Sequence, residues 1–426
     1  MCLSVTTRKR STARLFLLLL CYLVAGSANG QESSARVRLE AAASASLGGP
    51  QSASAQLEED RLRRQEDSRS PGLDAFFDPF EQDKQKLKEE TGLDIGLDYQ
   101  LLYQHSTSTV SGIDEAAAGH ARMLGNWALF DRGGPNQGSL VFIIENRHRL
   151  GTKTSPAGLA SEIGYIGLTG TTFGDTGNSL SVANWAQSID DGRAGIVIGR
   201  IDPTDYTDIL GYVNPRTTFM NLSVLFNPVV VLPDPGFGIG AGAFLTDQLY
   251  TIGVVSDANG SLNKIRWFPG GAELFKYAEL GWTPAPDQRY LTNIHISGFH
   301  VDKRKDAGVD ESYGVMLSGN VTFDSELMLF GRLGFSKGDA PIANTAGTLG
   351  FMWRPGFYDD LIGVAVNVAK PAISGLDTQT SIEVFYRFDA SDNLAITTDV
   401  QWLVNPALDP KHKSTGVFGL RARLNL

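Results

Sequence analysis

Side chains alternate across a β-strand, so a polar residue at every second position of an apolar segment marks a face that meets water. Several rows of this kind carry charge. Glu145, Arg147 and Arg149 follow Leu140, Phe142 and Ile144; Arg332 falls among Leu329, Leu333 and Phe335; Glu383 and Arg387 alternate with Val384, Tyr386 and Phe388. Asp399 and Gln401 flank Val400, and Arg421 and Arg423 flank Ala422. Arg200 and Asp202 join the set, although both faces of their segment are partly apolar. Carboxylates and guanidiniums on one face supply acceptors and donors together, the combination that replaces hydration water around a neutral, polyhydroxylated solute. Trp185 and Tyr206, beside expected loops, are candidates for stacking on the flat faces of such a solute. The plainer alternative is that these charges pair with one another and stiffen a wall.

Other constellations point less clearly to chemistry. His295 and Ser297 share a strand face and resemble the His-x-Ser pair of an outer-membrane phospholipase, but Ile294 and Ile296 claim the apolar face, which turns the pair away from lipid. His295 and His300 fall on opposite strand faces, and the remaining histidines are isolated, so no zinc site is expected. Asp202, Asp205 and Asp208 lack the ligand spacing of a helical calcium loop and suit turn capping. Gly236, Gly238, Gly240 and Gly242 keep a strict period of two, which fits a strand face approached closely by a neighbour rather than a phosphate-cradling turn. No cofactor, metal or covalent chemistry is expected.

The elements that must position these residues are strands. From Gly92 onward period-two alternation dominates, as in Leu93, Ile95, Leu97, Tyr99, Leu101 and Tyr103, broken only by Leu102. Segments of about ten residues suit tilted spanning strands better than a soluble sandwich. Aromatics near segment ends (Tyr99, Tyr103, Trp127, Tyr290, Trp353, Trp402) read as interface girdles. Turn clusters such as 131–135, 257–260 and 389–393 separate the segments. About seventeen segments can be drawn, and because single-chain barrels prefer even numbers the expectation is an all-β, transmembrane antiparallel barrel of 16 strands, with 18 as the alternative. The last strand alternates Phe418, Leu420, Ala422, Leu424 and Leu426 with polar partners, the kind of ending read by barrel assembly machinery.

Composition agrees. The 426 residues include 47 glycines, are 42% hydrophobic and only 20% charged, and carry a formal charge of -10, which disfavours nucleic acid. Residues 1–30 read as a secretory signal peptide: Arg8, Lys9, Arg10 and Arg14, an apolar run from Leu15 to Val24, then small residues. Both cysteines, Cys2 and Cys21, fall within it. Residues 31–70 are rich in Ala, Ser, Arg, Glu and Gln and are expected to be a low-complexity, disordered tail, with 57–69 as a possible solvated helix. A short helical lead-in at 71–91 and a barrel at 92–426 complete the organisation.

Two blocks carry a family likeness. Residues 198–206 (IGRIDPTDY) with Thr218-Phe219-Met220-Asn221, and 398–406 (TDVQWLVNP) with 419–424 (GLRARL), resemble the carbohydrate-selective porins of the OprB type. The likeness runs from about Gly92 to Leu426, while Phe76-Phe77-Asp78-Pro79-Phe80 stands where a Gly-Asp-Trp-type opening is expected. It implies a 16-stranded barrel with a narrow lumen in the outer membrane of a Gram-negative bacterium, passing small neutral sugars such as glucose. Implied partners are those sugars, outer-membrane lipid and lipopolysaccharide, and assembly machinery, with the chain as monomer or homotrimer. A general or anion-preferring porin, an outer-membrane phospholipase and a soluble glycan-binding β protein remain as alternatives.

Overall fold

The structure, a computed structural model, describes residues 34–45, 47–64, 68–324, 326–356 and 359–426. The expected leader and its cysteines lie outside the described residues. Sixteen strands form one closed sheet: β1 (Leu93–Ser106), β2 (Glu115–Phe130), β3 (Gly138–Arg149), β4 (Gly177–Ile189), β5 (Ala194–Ile201), β6 (Gly236–Phe244), β7 (Leu249–Asp257) and β8 (Leu274–Trp282). The second half comprises β9 (Asn293–Val301), β10 (Ser312–Phe323), β11 (Leu327–Lys337), β12 (Ala343–Trp353), β13 (Leu361–Pro371), β14 (Gln379–Asp389), β15 (Leu394–Val404) and β16 (Ser414–Asn425). Each strand pairs antiparallel with its sequence neighbour, and β1 closes on β16 with Leu101 opposite Ala422. Closure pairs every strand on both sides, which is what a sheet surrounded by hydrocarbon requires.

Alternation settles which face is which. Along β1, Tyr99, Leu101 and Tyr103 are exposed while Gln100 and Gln104 are buried; along β16, Phe418 and Leu420 are exposed while Arg421 and Arg423 are buried. The apolar members therefore form the outer, lipid-facing wall and the polar members point inward. Trp127, Tyr313, Trp353, Tyr386 and Trp402 lie on the outside. Tyr290, expected in the same girdle, is buried instead: it belongs to the β8–β9 turn and donates its hydroxyl inward to the Gly48 carbonyl at 2.6 Å. Trp185 is corrected the other way. It pairs across the sheet with Leu140 and Ile198, both exposed, so it belongs to the outer face and stacks on no solute inside.

One rim carries the long connections 150–176, 202–235 and 258–273, the other the short turns such as 190–193, 245–248 and 390–393, together with the approach to β1. In outer-membrane barrels long loops are extracellular and short turns periplasmic, which orients the molecule.

The segment before the barrel departs from expectation. Residues expected to be a disordered tail form two helices, α1 (Ser34–Ala45) and α2 (Ala53–Arg63), packed as a hairpin against the inner wall. Composition argues for disorder only when a segment must bury its own apolar surface; here the wall supplies partners for its polar groups. A short helix α3 (Pro71–Asp74) and the charged helix α4 (Asp78–Thr91) then lead to β1. Helix α4 starts with Pro79 in its first turn, where a missing N–H costs nothing, and stops at Gly92, whose φ of +79° closes the helix in a left-handed conformation.

Candidate functional site

Two segments fill much of the lumen, beside part of the 150–176 connection, and the charged inner wall grips both. The first is the β5–β6 connection, 202–235, which includes the short helix Leu222–Leu225. Its Leu210, Tyr212, Val213, Phe219, Val224, Leu225 and Phe226 pack with Met328, Phe330, Met352 and Phe385 of the wall in a buried apolar cluster. Tyr212 stacks on Phe330, with ring centroids 3.8 Å apart. Apolar residues in the middle of a connection fold inward because a polar outer rim offers them no other burial.

The backbone of this loop loses water on entering, and wall charges replace it. Arg332 donates to the Val224 and Leu225 carbonyls at 3.1 and 2.6 Å, to the Tyr212 hydroxyl at 2.5 Å and to the Asp208 carbonyl at 2.9 Å. Its Nε lies 2.8 Å from the Asp208 carboxylate. Glu383 accepts the N–H groups of Met220 and Asn221 at 2.5 and 3.1 Å. Arg421 donates to the Pro215 and Thr218 carbonyls at 2.8 and 2.9 Å, and Arg387 to Thr217 at 3.3 Å. Asp399 accepts from Gln401, whose amide also reaches the Thr169 carbonyl at 2.8 Å and Asn221 at 3.0 Å. Burial alone would raise the Asp208 carboxyl, but Arg332 and His295 hold it down at about 2.

The second segment is the α1–α2 hairpin. Arg38 meets Asp359 at 2.6 Å, Arg63 meets Asp389 at 2.7 Å, and Asp60 meets Arg423 at 3.1 Å. The carbonyls of Leu47 and Gly48 accept from Arg289, both at 3.0 Å; Gln51 O accepts from Arg216 at 2.9 Å. Arg122 reaches the Gln56 side chain at 3.1 Å and Asn126 the Ser54 hydroxyl at 3.0 Å. The row of glycines on β6 explains the close fit, since a Cβ at Gly242 would lie 2.4 Å from the Leu47 side chain. At the β12–β13 turn, burial would raise Asp359, yet Arg38, Arg354, Arg387 and Arg63 around it keep it well below the usual carboxylate range.

The residues singled out in the sequence thus divide by role. Arg332, Glu383, Arg387, Asp399, Arg421 and Arg423 face inward and are all at most 4% exposed, covered by the inserted segments and by neighbouring wall side chains. Glu145 is buried too, between His120 at 2.9 Å and Arg147 at 2.8 Å. Arg149 ends β3 at the extracellular rim, exposed, 3.6 Å from Asp175. Arg200 donates to the carbonyls of Leu180 and Ser261, both at 2.5 Å, and ties the β7–β8 loop to the wall. Asp202 caps a short helical turn by accepting from Thr204 N–H at 3.0 Å. His295 turns to Asp208 at 3.0 Å and Asn293 at 3.0 Å, an anchoring arrangement. Tyr206 is inward and buried.

Other inner-wall residues escaped the sequence reading. His120 and Arg122 sit on β2, whose outward members Ala117, Gly119 and Ala121 are too small to show as an apolar row. Arg289, Arg354 and Asp359 lie in turns, where periodicity carries no information.

A family model described as "Carbohydrate-selective porin, OprB family" matches residues 132–426. The chain belongs to the OprB family. The high-pH structure of Pseudomonas putida OprB shares the fold, with a TM-score of 0.65 at 13% identity over 80% of this chain and 96% of that one. Porin AaxA of Chlamydia pneumoniae is 26% identical over 163 residues, or 35% of this chain; the match spans 36% of that relative, about a third of its length. An OprB-family barrel is a porin wall in the outer membrane of a Gram-negative bacterium, not an enzyme. The α1–α2 hairpin lies outside the residues matched by the family model.

Proposed function

We propose that this OprB-family porin lets small neutral carbohydrates of about glucose size diffuse passively into the periplasm. The observation that carries the reading is the state of the inner charges. Arg332, Glu383, Arg421 and Arg423 are matched by opposite charge or by backbone dipoles and covered, so a solute meets a narrowed, polar passage with little unbalanced field. Such a passage sorts by size and by capacity for hydrogen bonding. A second reading, preference for anions, draws on Arg122, Arg216 and Arg423, which crowd around Asp98.

Reconstituting the protein in liposomes and following swelling in isosmotic glucose, a larger oligosaccharide and a small anion tests both. Fast glucose entry with slow oligosaccharide and anion entry supports the sugar channel. Faster anion entry selects the second reading, and no swelling with well-inserted protein overturns both. The same proposal includes recognition of β16 by barrel assembly machinery, contact of the extracellular rim with lipopolysaccharide, and a monomeric or homotrimeric state, which native mass determination would separate.

A further inference from the structure

Between the α1–α2 hairpin and strands β2–β5, on the periplasmic side of the 202–235 loop, lies a cavity enclosing about 780 Å³ of empty space including its mouth. Its chemistry differs from that of the rest of the lumen. A second cavity, near Arg354 and Arg387, is lined by both arginines and by Glu59 and Glu326. Among the described residues, the β2–β5 cavity has no lysine or arginine in its lining, and its one carboxyl is that of Asp205. Burial and the neighbouring Asp202 push Asp205 above the usual carboxylate range, toward the neutral form.

The remaining lining is amide, hydroxyl and apolar. Asn184 is 3% exposed, and its Oδ1 has no partner among the described residues; the Oδ1 of Asn126 is buried and unpartnered as well. The Nδ2 of Asn126 is already committed to Ser54 of the hairpin, leaving the carbonyl oxygens as free acceptors. Buried acceptors in native proteins almost always find a donor, and at these two a ligand hydroxyl would supply one. The Ser139 hydroxyl, the Tyr206 ring, Val141 and Val182 also line it. Acceptors beside an aromatic ring and apolar carbons match a sugar, whose hydroxyls donate from the edge of the ring while its C–H faces are apolar.

We propose that this cavity is a binding subsite for a neutral monosaccharide on the periplasmic half of the route, with the docked hairpin as one of its walls. The inference rests on the carbohydrate-porin reading and adds to it a place and a set of residues.

Calorimetric titration of the purified full chain with glucose, alongside Asn184→Leu and Asn126→Leu, tests it. Heat-modifiable gel mobility checks that each variant forms the barrel, and Asn184→Ala serves if the leucine variant does not fold. The expected result is saturable glucose binding that the substitutions weaken roughly tenfold or more. Glucose permeation without saturable binding, or binding that the variants leave unaltered, means that the cavity holds water only and overturns the inference while the porin reading stands. Absence of glucose permeation in liposomes would overturn the porin reading, and the titration would still decide the subsite by itself.

Discussion

The β5–β6 loop and the α1–α2 hairpin share one lumen but are held there by opposite means. The loop brings its own apolar core, seven side chains of it, and the wall charges serve its dehydrated backbone. The hairpin brings little apolar surface beyond Ala42, Ala43, Ala53, Ala55 and Leu57, and depends on ion pairs and on arginines that bind its carbonyls. Inward charges in this barrel are therefore anchors first. On the proposed function, solute selectivity would then arise from the shapes and the neutral surfaces that the anchored segments leave.

Breaking an anchor of the loop should have the largest effect. Arg332→Ala leaves the buried Asp208 carboxylate with His295 in place of its guanidinium and removes the donor to three carbonyls, and is expected to cost about 3–5 kcal/mol. Denaturant unfolding should show the loss, and protease should cut within 202–235. Asp359→Asn attacks the hairpin by leaving Arg38, Arg63, Arg354 and Arg387 without their shared carboxylate, a loss on the order of 3 kcal/mol. Here the cleavage should appear in 34–64 while the barrel keeps its gel mobility, and cleavage in 202–235 instead would blur the distinction between the two segments.

Glu383→Gln keeps the shape but leaves one loop N–H poorly matched, and should cost about 1–3 kcal/mol in the same unfolding assay. The pH response sharpens the comparison further. Because the folded Asp359 value is depressed, its contribution is present above the unfolded value of roughly 3.9 and is lost only as pH falls through the folded value. Trypsin protection of the hairpin should be flat between about pH 5 and 8, and release near neutrality would contradict this anchor. Arg149→Ala, at an exposed rim pair, should change stability by less than about 0.5 kcal/mol.

How legible these features were depended on which surface supplied the signal. Strand periodicity marks the wall because lipid outside and polar contacts inside impose opposite demands on alternate residues, so Arg332, Glu383 and Arg421 could be placed inward from sequence. What covers them could not be read from the strands. The loop did leave a trace: Tyr212-Val213 and Val224-Leu225-Phe226 are too apolar for a solvated connection. The hairpin left only the helix-like charge pattern at 57–69, because much of its order comes from partners far along the chain, such as Asp359 for Arg38 and Arg289 for Gly48. Leu102, the one break in the β1 pattern, was itself informative: it faces inward, into a cluster with Phe173 and Met220 of the inserted loops.

The most direct test compares osmotic swelling of liposomes carrying the full chain with those carrying a chain lacking residues 34–64, in glucose and in a larger oligosaccharide. If the docked hairpin shapes the passage, the full chain admits glucose and retards the oligosaccharide, while the shortened chain admits both. Equal discrimination by the two chains, with both barrels inserted, would contradict the account and return selectivity to the 202–235 loop alone.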